Sequence, residues 1–384
     1  NTYELLVQNA EDLIYRCDIQ GNFLFLNDIC FTKLGYTKDD LIGKSSMTII
    51  DEEYKAELET YYTNHFLSKK HSSYKEFPIT KKDGSRVWIG QYVTTLFAAG
   101  SDSYINGFIA LARDITEDRQ KQQLIKEQRD NITSSINYAQ RIQLNLLPHK
   151  RLFNSYFKDH FITFKPKDIV SGDFYWMEKI DDKIILVLAD CTGHGVPGSF
   201  MTLLGINLLN TIVHDEQTKD PGSILNELDK RLMEILPRGK GADRMNDGME
   251  ITVCVIDDHT TEFSYACAGS RFLIYGNDEF TMFKGDNKHI GDEIHGGFTS
   301  YQTNYADLRS TDQLYLFTDG FQDQFGGPND KKYSFRRILE LLEDNVGKPL
   351  PDQQELIEEA FDEWIGHGEQ TDDLSVISII RNLV

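Results

Sequence analysis

Cysteine is scarce in this chain and never clustered. The five cysteines, Cys17, Cys30, Cys191, Cys254 and Cys267, are odd in number and far apart. No C-x-x-C pair exists, which excludes the common zinc cages and a disulfide framework and fits a reducing, cytoplasmic setting. Positive charge is also short: 40 Lys and Arg stand against 61 Asp and Glu, a formal net charge of −21. Nucleic-acid backbones and anionic membranes attract the opposite balance, so neither is expected as the main partner. No apolar run approaches the roughly 18–20 residues of a membrane span, and no signal-peptide core opens the chain. The first residue is Asn rather than Met, so an excised fragment is expected. The rest is ordinary folded-protein composition, 40% apolar and 26% charged, and 384 residues suffice for two or three domains.

Three segments differ in texture. Residues 1–117 read as a small α+β module. Two short strands flank a Gln-Gly turn in "LIYRCDIQGNFLFLN", a helix follows over "ICFTKLGYTKDDLIG", and longer strands lie around the Lys-Asp-Gly-Ser turn and a turn at Gly100–Ser103. Residues 118–147 then hold no Gly or Pro and are rich in Gln, Lys, Arg and Glu. Ile125, Ile132, Ala139 and Leu146 recur every seven residues there, supported by Ile136 and Ile142, which predicts a short dimeric coiled coil. From residue 148 to 384 many strands alternate with paired helices, the pattern of two packed sheets covered by helices, an α+β layered fold.

Several chemistries are ruled out by what surrounds their motifs. Gly193-x-Gly195-x-x-Gly198 in "VLADCTGHGVPGSF" has the glycine spacing of a dinucleotide-binding turn. That turn needs a second strand ending in an acidic residue, whereas Asp215 leads into a turn and another helix. Asp190 would also repel a pyrophosphate. The arginine that a cysteine-phosphatase loop requires after Cys191 is replaced by Pro197. A histidine kinase would need a phospho-acceptor on the connector, and residues 118–147 contain no His.

Carboxylates carry a stronger signal. If "GDFYWMEKIDDKIILVLAD" is a hairpin turning at Asp181-Asp182, counting outward pairs Asp173 with Asp190 on one face. Like charges facing across a ladder destabilise it unless a cation lies between them. Asp319 ends the apolar run "LYLFTDG", and Asp372 stands just before the run "LSVISII". Antiparallel pairing of those two strands would bring Asp319 and Asp372 together. An all-oxygen site of this kind selects Mg²⁺ or Mn²⁺.

The motifs "SGDFYWM", "ADCTGHGVPGSFM", "NDGMEITVCVID", "LYLFTDGFQDQFGG" and "TDDLSVISI" resemble, in order and spacing, the metal-dependent (PPM, type 2C-like) protein serine/threonine phosphatases. The branch they resemble is that of the sporulation protein E-like regulators. The resemblance implies an α-β-β-α sandwich and two Mg²⁺ or Mn²⁺ ions. It assigns Asp173 and Asp190 to one ion and Asp190, Asp319 and Asp372 to the other, with the Cys191 carbonyl as a further oxygen. A water activated by the ions would attack phosphorus in line, without a covalent intermediate. The chain departs from its relatives in lacking a phosphate-binding Arg before the first motif, for which Lys165 or Lys167 is the substitute. His194 does not match the proton-donating histidine of animal enzymes, and Asp247 aligns with a third-metal position of some relatives.

The first segment resembles a PAS domain in "YRCDIQGNFLFLND", "LGYTKDDLIGKS", "TKKDGSRVWI" and "ARDITEDR". PAS motifs do not specify a ligand, and the flavin-binding cysteine motif is absent. Tyr15, Phe23, Phe25, Phe31 and Trp88 are expected in the core, and His65 and His71 in solvent. The whole reads as a PAS domain (1–117), a helical linker (118–147) and a phosphatase domain (148–384). It would be a homodimer acting on a phosphorylated protein, by resemblance a STAS-like anti-sigma-factor antagonist. The alternative is a catalytically silent PAS scaffold that binds a phosphoprotein.

Overall fold

A computed structural model describes residues 2–68, 70–98, 104–236, 247–292 and 300–382. The chain divides into two compact units, Asn1–Asn131 and Ile132–Val384. The first unit holds strands β1 (Leu13–Cys17), β2 (Phe23–Leu26), β3 (Ser72–Thr80), β4 (Arg86–Phe97) and β5 (Ile105–Asp114) in one antiparallel sheet ordered β2-β1-β5-β4-β3. The single helix expected over "ICFTKLGYTKDDLIG" is two, Asp28–Leu34 and Lys38–Leu41. Gly35 ends the first with a φ of +74°, and Thr37 starts the second, its N–H and hydroxyl both donating to Asp40 at 2.8 Å. Buried Asn27 ties the first turn of the chain to the sheet. It donates to the carbonyls of Val7 and Asp12 and accepts from the N–H of Ile14. The turn expected at Gly100–Ser103 lies outside the described residues.

The core of this unit corrects two expectations. Phe23 is fully buried and Tyr15 and Phe31 pack half-buried against the core, but Phe25 and Trp88 are half-buried outside it. Tyr15 faces a cavity of about 470 Å³ inside the unit, where it donates to Gln91, which in turn donates to Tyr62. His65 is not in solvent: it is 5% exposed, its Nε2 is 3.0 Å from the Thr95 hydroxyl, and burial lowers its pKa. His71 is exposed, as expected.

The connector is one helix, Thr116–Leu146. At its start the Thr116 hydroxyl accepts from the Trp88 N–H at 2.9 Å, and the Arg119 guanidinium lies 3.7 Å over the Trp88 ring. The heptad stripe is exposed on the single chain, Ile125 at 64% and Ile132 at 61%. A different face turns inward near the end: Ile136 and Gln140 are half-buried, and Gln143 is buried. Gln143 donates to the Ser171 carbonyl at 2.6 Å and accepts from the Ser171 N–H at 3.0 Å.

The second unit contains β6 (Phe157–Lys165), β7 (Asp173–Ile180), β8 (Lys183–Cys191), β9 (Met249–Asp257), β10 (Glu262–Ala268), β11 (Arg271–Gly276), β12 (Glu279–Lys284), β13 (Asn304–Asp307), β14 (Gln313–Phe317), the two-residue pair β15 (Phe325–Gly326) and β16 (Lys331–Lys332), and β17 (Leu374–Arg381). Two five-stranded antiparallel sheets result, ordered β13-β10-β9-β8-β7 and β12-β11-β14-β17-β6. One apolar cluster joins Phe174, Leu186 and Val253 of the first sheet to Phe272, Leu314 and Ile377 of the second. Leu209 and Leu228, from helices Gly195–Leu209 and Pro221–Ile235, extend it. A separate cluster packs Ile338 and Phe361, from helices Phe335–Glu343 and Leu350–Ile365, on Phe161 and Tyr315 of the second sheet. This is the α-β-β-α sandwich. The central strands are buried on both faces, which explains their continuous apolar runs. The edge strand β13 carries no such run and was absent from the sequence expectation.

One helical stretch, Gly195–Asp215, is long and apolar enough to cross a membrane, contrary to the sequence reading. It passes that test because its apolar positions serve the core, and more than half of it is buried.

The glycine turn is a close backbone packing. A Cβ on Gly198 would stand 2.2 Å from the Gly193 carbonyl oxygen and 2.9 Å from the Gly172 Cα. Gly193 meets nothing within 4 Å and is glycine for its φ of +84°. Gly198→Ala is therefore expected to cost about 2–3 kcal/mol of overpacking, and Gly193→Ala about 1 kcal/mol of backbone strain. Chemical denaturation of the two variants should show this order.

Candidate metal centre

The site begins with the β7–β8 hairpin. Asp181 takes a φ of +51° in the turn, Ile180 pairs with Lys183, and the register runs outward to set Asp173 opposite Asp190. On the far side of β8, the β9 ladder sets Glu250 opposite Asp190. Three carboxylates thus stand in a row across three strands. The sequence reading missed Glu250. Asp247, which aligns with a third-metal position of some relatives, lies three residues earlier, before β9 begins.

Asp319 and Asp372 come from the second sheet. β14 and β17 pair antiparallel, Phe317 opposite Val376, and the Thr318 N–H continues the ladder to the Ser375 carbonyl at 3.0 Å. The end of β14 therefore lies beside the start of β17. Gly320 packs so closely on the Asp373 carbonyl that no Cβ would fit, its ideal position falling 1.8 Å from that oxygen. The charges of Asp319 and Asp372 act on Asp190, and that of Asp372 acts also on Asp173 and Asp319.

Asp173 is 0% exposed. Its Oδ2 accepts from the Ser375 hydroxyl at 2.6 Å and the Thr318 hydroxyl at 2.8 Å, while its Oδ1 has no partner. Burial, with the charges of Asp373 and Asp372 adding to it, pushes its pKa up to about 8. Burial likewise raises Asp190 well above the usual carboxylate range, reinforced by Asp173, Asp319, Asp372 and Glu250. Asp319 and Glu250 are raised for the same first reason. A group of carboxylates this poorly solvated stays ionised only beside positive charge.

The neighbouring residues hold the backbone. Asp373 accepts from the N–H groups of Lys167 at 2.7 Å and Gly172 at 2.6 Å, so this acid is a strut between the start of β17 and the approach to β7. The Cys191 carbonyl faces Gly172, 3.1 Å from where a Cβ would sit, and the Cys191 thiol is buried with its pKa pushed far up. His194 lies on the surface between Asp168, 2.6 Å from its Nδ1, and Lys167, 3.0 Å from its Nε2. Lys165 is bound to both oxygens of Asp362 at 2.8 and 2.9 Å.

Among the described residues, no three His, Cys, Asp or Glu side chains stand close enough together to hold a metal ion as they are. The donor set nevertheless fits a hard divalent cation. It consists of carboxylates, one of them with a fully buried oxygen that no protein donor reaches, and Asp190 bears the like charges of Asp173, Asp319 and Asp372 together.

The sequence family described as Stage II sporulation protein E (SpoIIE) matches residues 180–382, and a PAS domain family matches residues 12–117. The PP2C domain of SiaA from Pseudomonas aeruginosa is 30% identical, with a TM-score of 0.60 over 66% of this chain and 98% of that one. The PP2C phosphatase domain of SpoIIE from Bacillus subtilis, with a fragment of its regulatory domain, is 14% identical, with a TM-score of 0.48 over 86% of this chain and 91% of that one. No curated protein matches. A match that spans more than half the chain and takes in β8, β14 and β17 places this protein in the SpoIIE family, as a PP2C-type protein phosphatase with a PAS domain ahead of it.

Proposed function

We propose that the chain removes phosphate from phosphoserine or phosphothreonine on a partner protein at a centre of two Mg²⁺ or Mn²⁺ ions. Asp173 and Asp190 would hold one ion, and Asp190, Asp319 and Asp372 the other, with the Cys191 carbonyl as a further donor. The observation that carries this reading is the unpartnered, fully buried Oδ1 of Asp173 among like charges. Bound divalent ions supply a water acidic enough to react at neutral pH and positive charge for the phosphoryl oxygens.

The chain's own residues perform the positioning. Thr318 and Ser375 engage one Asp173 oxygen and leave the other for a cation. Asp373 fixes the start of β17 against the approach to β7, which keeps Asp372 beside Asp173. No thiol route competes, because the Cys191 sulfur is buried and its pKa is raised too far for a nucleophilic thiolate.

The proposed control element is the linker of residues 118–147, between a PAS sensor over 1–117 and the phosphatase over 148–384. The exposed seven-residue stripe supports pairing with the linker of a second copy. The buried Gln143 supports a link from the helix to the strand that starts at Asp173. By family resemblance the substrate is a small STAS-like anti-sigma-factor antagonist in its phosphorylated form.

Hydrolysis of para-nitrophenyl phosphate should require Mn²⁺ or Mg²⁺, and Asp190→Asn and Asp319→Asn should each lose on the order of 10²–10³-fold in turnover. Metal-independent turnover, or turnover that survives both changes, would defeat the reading. A second expectation concerns pH. Asp173 has a folded pKa above its unfolded one, so its contribution to stability is full below about pH 4 and is lost as pH rises through about 8. Without metal the unfolding midpoint should fall across that window. Asp173→Asn should flatten part of the fall, and Mn²⁺ should restore the native chain at pH 8. A third concerns the stripe: Ile125→Glu and Ile132→Glu should raise the monomer fraction in sedimentation and change turnover while leaving Mn²⁺ affinity unaltered. Unchanged mass and turnover in both would remove the dimeric linker from the account.

A further inference from the structure

A phosphatase site needs a cation of its own for the phosphoryl oxygens, and the two expected from the sequence are engaged elsewhere. Lys165 grips Asp362, and Lys167 sits against the surface histidine His194. Another basic pair borders the carboxylates. Directly beside Asp319 and Glu250 lies a cavity of about 230 Å³ whose walls include Arg271, Lys284 and Gln322. The wall residues Asp319, Glu250 and Asp286 are acidic, so the cavity carries both signs of charge.

The placement of Arg271 follows from the fold. Gly269 turns with a φ of +71° between β10 and β11, and Arg271 is the first residue of β11. Phe272 pairs with Leu316, so Arg271 lies level with the end of β14, close to Thr318 and Asp319. The guanidinium is oriented on two sides: it donates to the Gln322 amide oxygen and lies 4.3 Å over the Phe335 ring. Across the β11–β12 ladder the residue opposite Arg271 is Lys284, so two cations face each other on one side of the sheet. Like charges in that relation destabilise a ladder, and an anion between them reverses the sign. A planar guanidinium held by stacking is suited to the paired oxygens of a phosphoryl group.

We propose that Arg271, assisted by Lys284, binds the phosphoryl group of a phosphate monoester in the cavity beside Asp319. This rests on the phosphatase reading: ions on the carboxylate wall would meet the phosphoryl oxygens from one side, and Arg271 from the other. It makes Arg271 a substrate-binding residue that Lys165 and Lys167 do not replace.

The test uses the full chain with Mn²⁺ and two probes. Inorganic phosphate affinity is measured by calorimetry, and para-nitrophenyl phosphate gives KM and kcat. Loss of a charged hydrogen-bond donor should weaken phosphate binding by Arg271→Met roughly 10- to 100-fold and raise KM in parallel. Arg271→Lys should recover part of this. Lys284→Met, a change at an exposed side chain that leaves the fold intact, should weaken phosphate by a smaller factor that shrinks at high salt. Phosphate affinity within twofold of native in both Met variants overturns the proposal, as does a native chain that binds no phosphate. A shift in unfolding midpoint with unchanged affinity assigns Arg271 a packing role and also overturns it. A native chain that binds phosphate through Arg271 yet hydrolyses nothing supports this site and defeats the catalytic reading instead.

Discussion

A carboxylate shut away from solvent with other carboxylates around it must either keep its proton or find a cation. Asp173 is in that position, and much of the second unit is arranged to hold it there. Its bonded oxygen joins both sheets, because the hydroxyls of Thr318, just past β14, and of Ser375 in β17 reach it while the residue itself opens β7. The two sheets therefore meet at this end through a polar contact rather than through the apolar cluster that joins them elsewhere. Burying this group costs stability, and a fold does not sustain such a cost without compensation. The compensation lies in the charge that the unit can recruit.

The glycine turn belongs to the same arrangement. Gly172, Gly193 and Gly198 bring three backbone segments to distances that side chains would forbid. That closeness sets the Cys191 carbonyl and the start of the helix Gly195–Leu209 next to the row formed by Asp173, Asp190 and Glu250. The glycine spacing that imitates a nucleotide-binding turn thus reflects packing under a carboxylate cluster.

Local geometry was legible in the sequence, and long-range geometry largely was not. The hairpin needed only a two-residue turn at Asp181-Asp182, so counting alone put Asp173 opposite Asp190, as the register does. Asp319 beside Asp372 needed one assumption, that β14 and β17 are neighbours, and the ladder satisfies it. Glu250 faces Asp190 just as directly, but two helices separate β8 from β9 and no turn length ties their register. Thr318 and Ser375 carry no signal at all, since a hydroxyl that bonds across sheets looks like any other in a strand. His65 was misjudged because its helix is mostly polar and one inward histidine breaks no periodicity. Arg271 escaped for a related reason: its importance comes from the cavity beside it, which only the paired sheets create.

The two hydrogen bonds between Gln143 and Ser171 limit what kind of machine the connector helix can be. One side-chain amide satisfies both the N–H and the carbonyl of a single buried residue. A helix advances about 1.5 Å and turns about 100° per residue, so even a one-residue slip would carry Gln143 away and strand the Ser171 N–H, leaving the carbonyl only the Thr202 hydroxyl at 3.2 Å. A stranded buried group of this kind costs on the order of 1–3 kcal/mol. Small displacements of the helix are thus resisted, and larger ones release it altogether. A displacement of the connector would therefore be felt at Ser171 as a step rather than as a graded push.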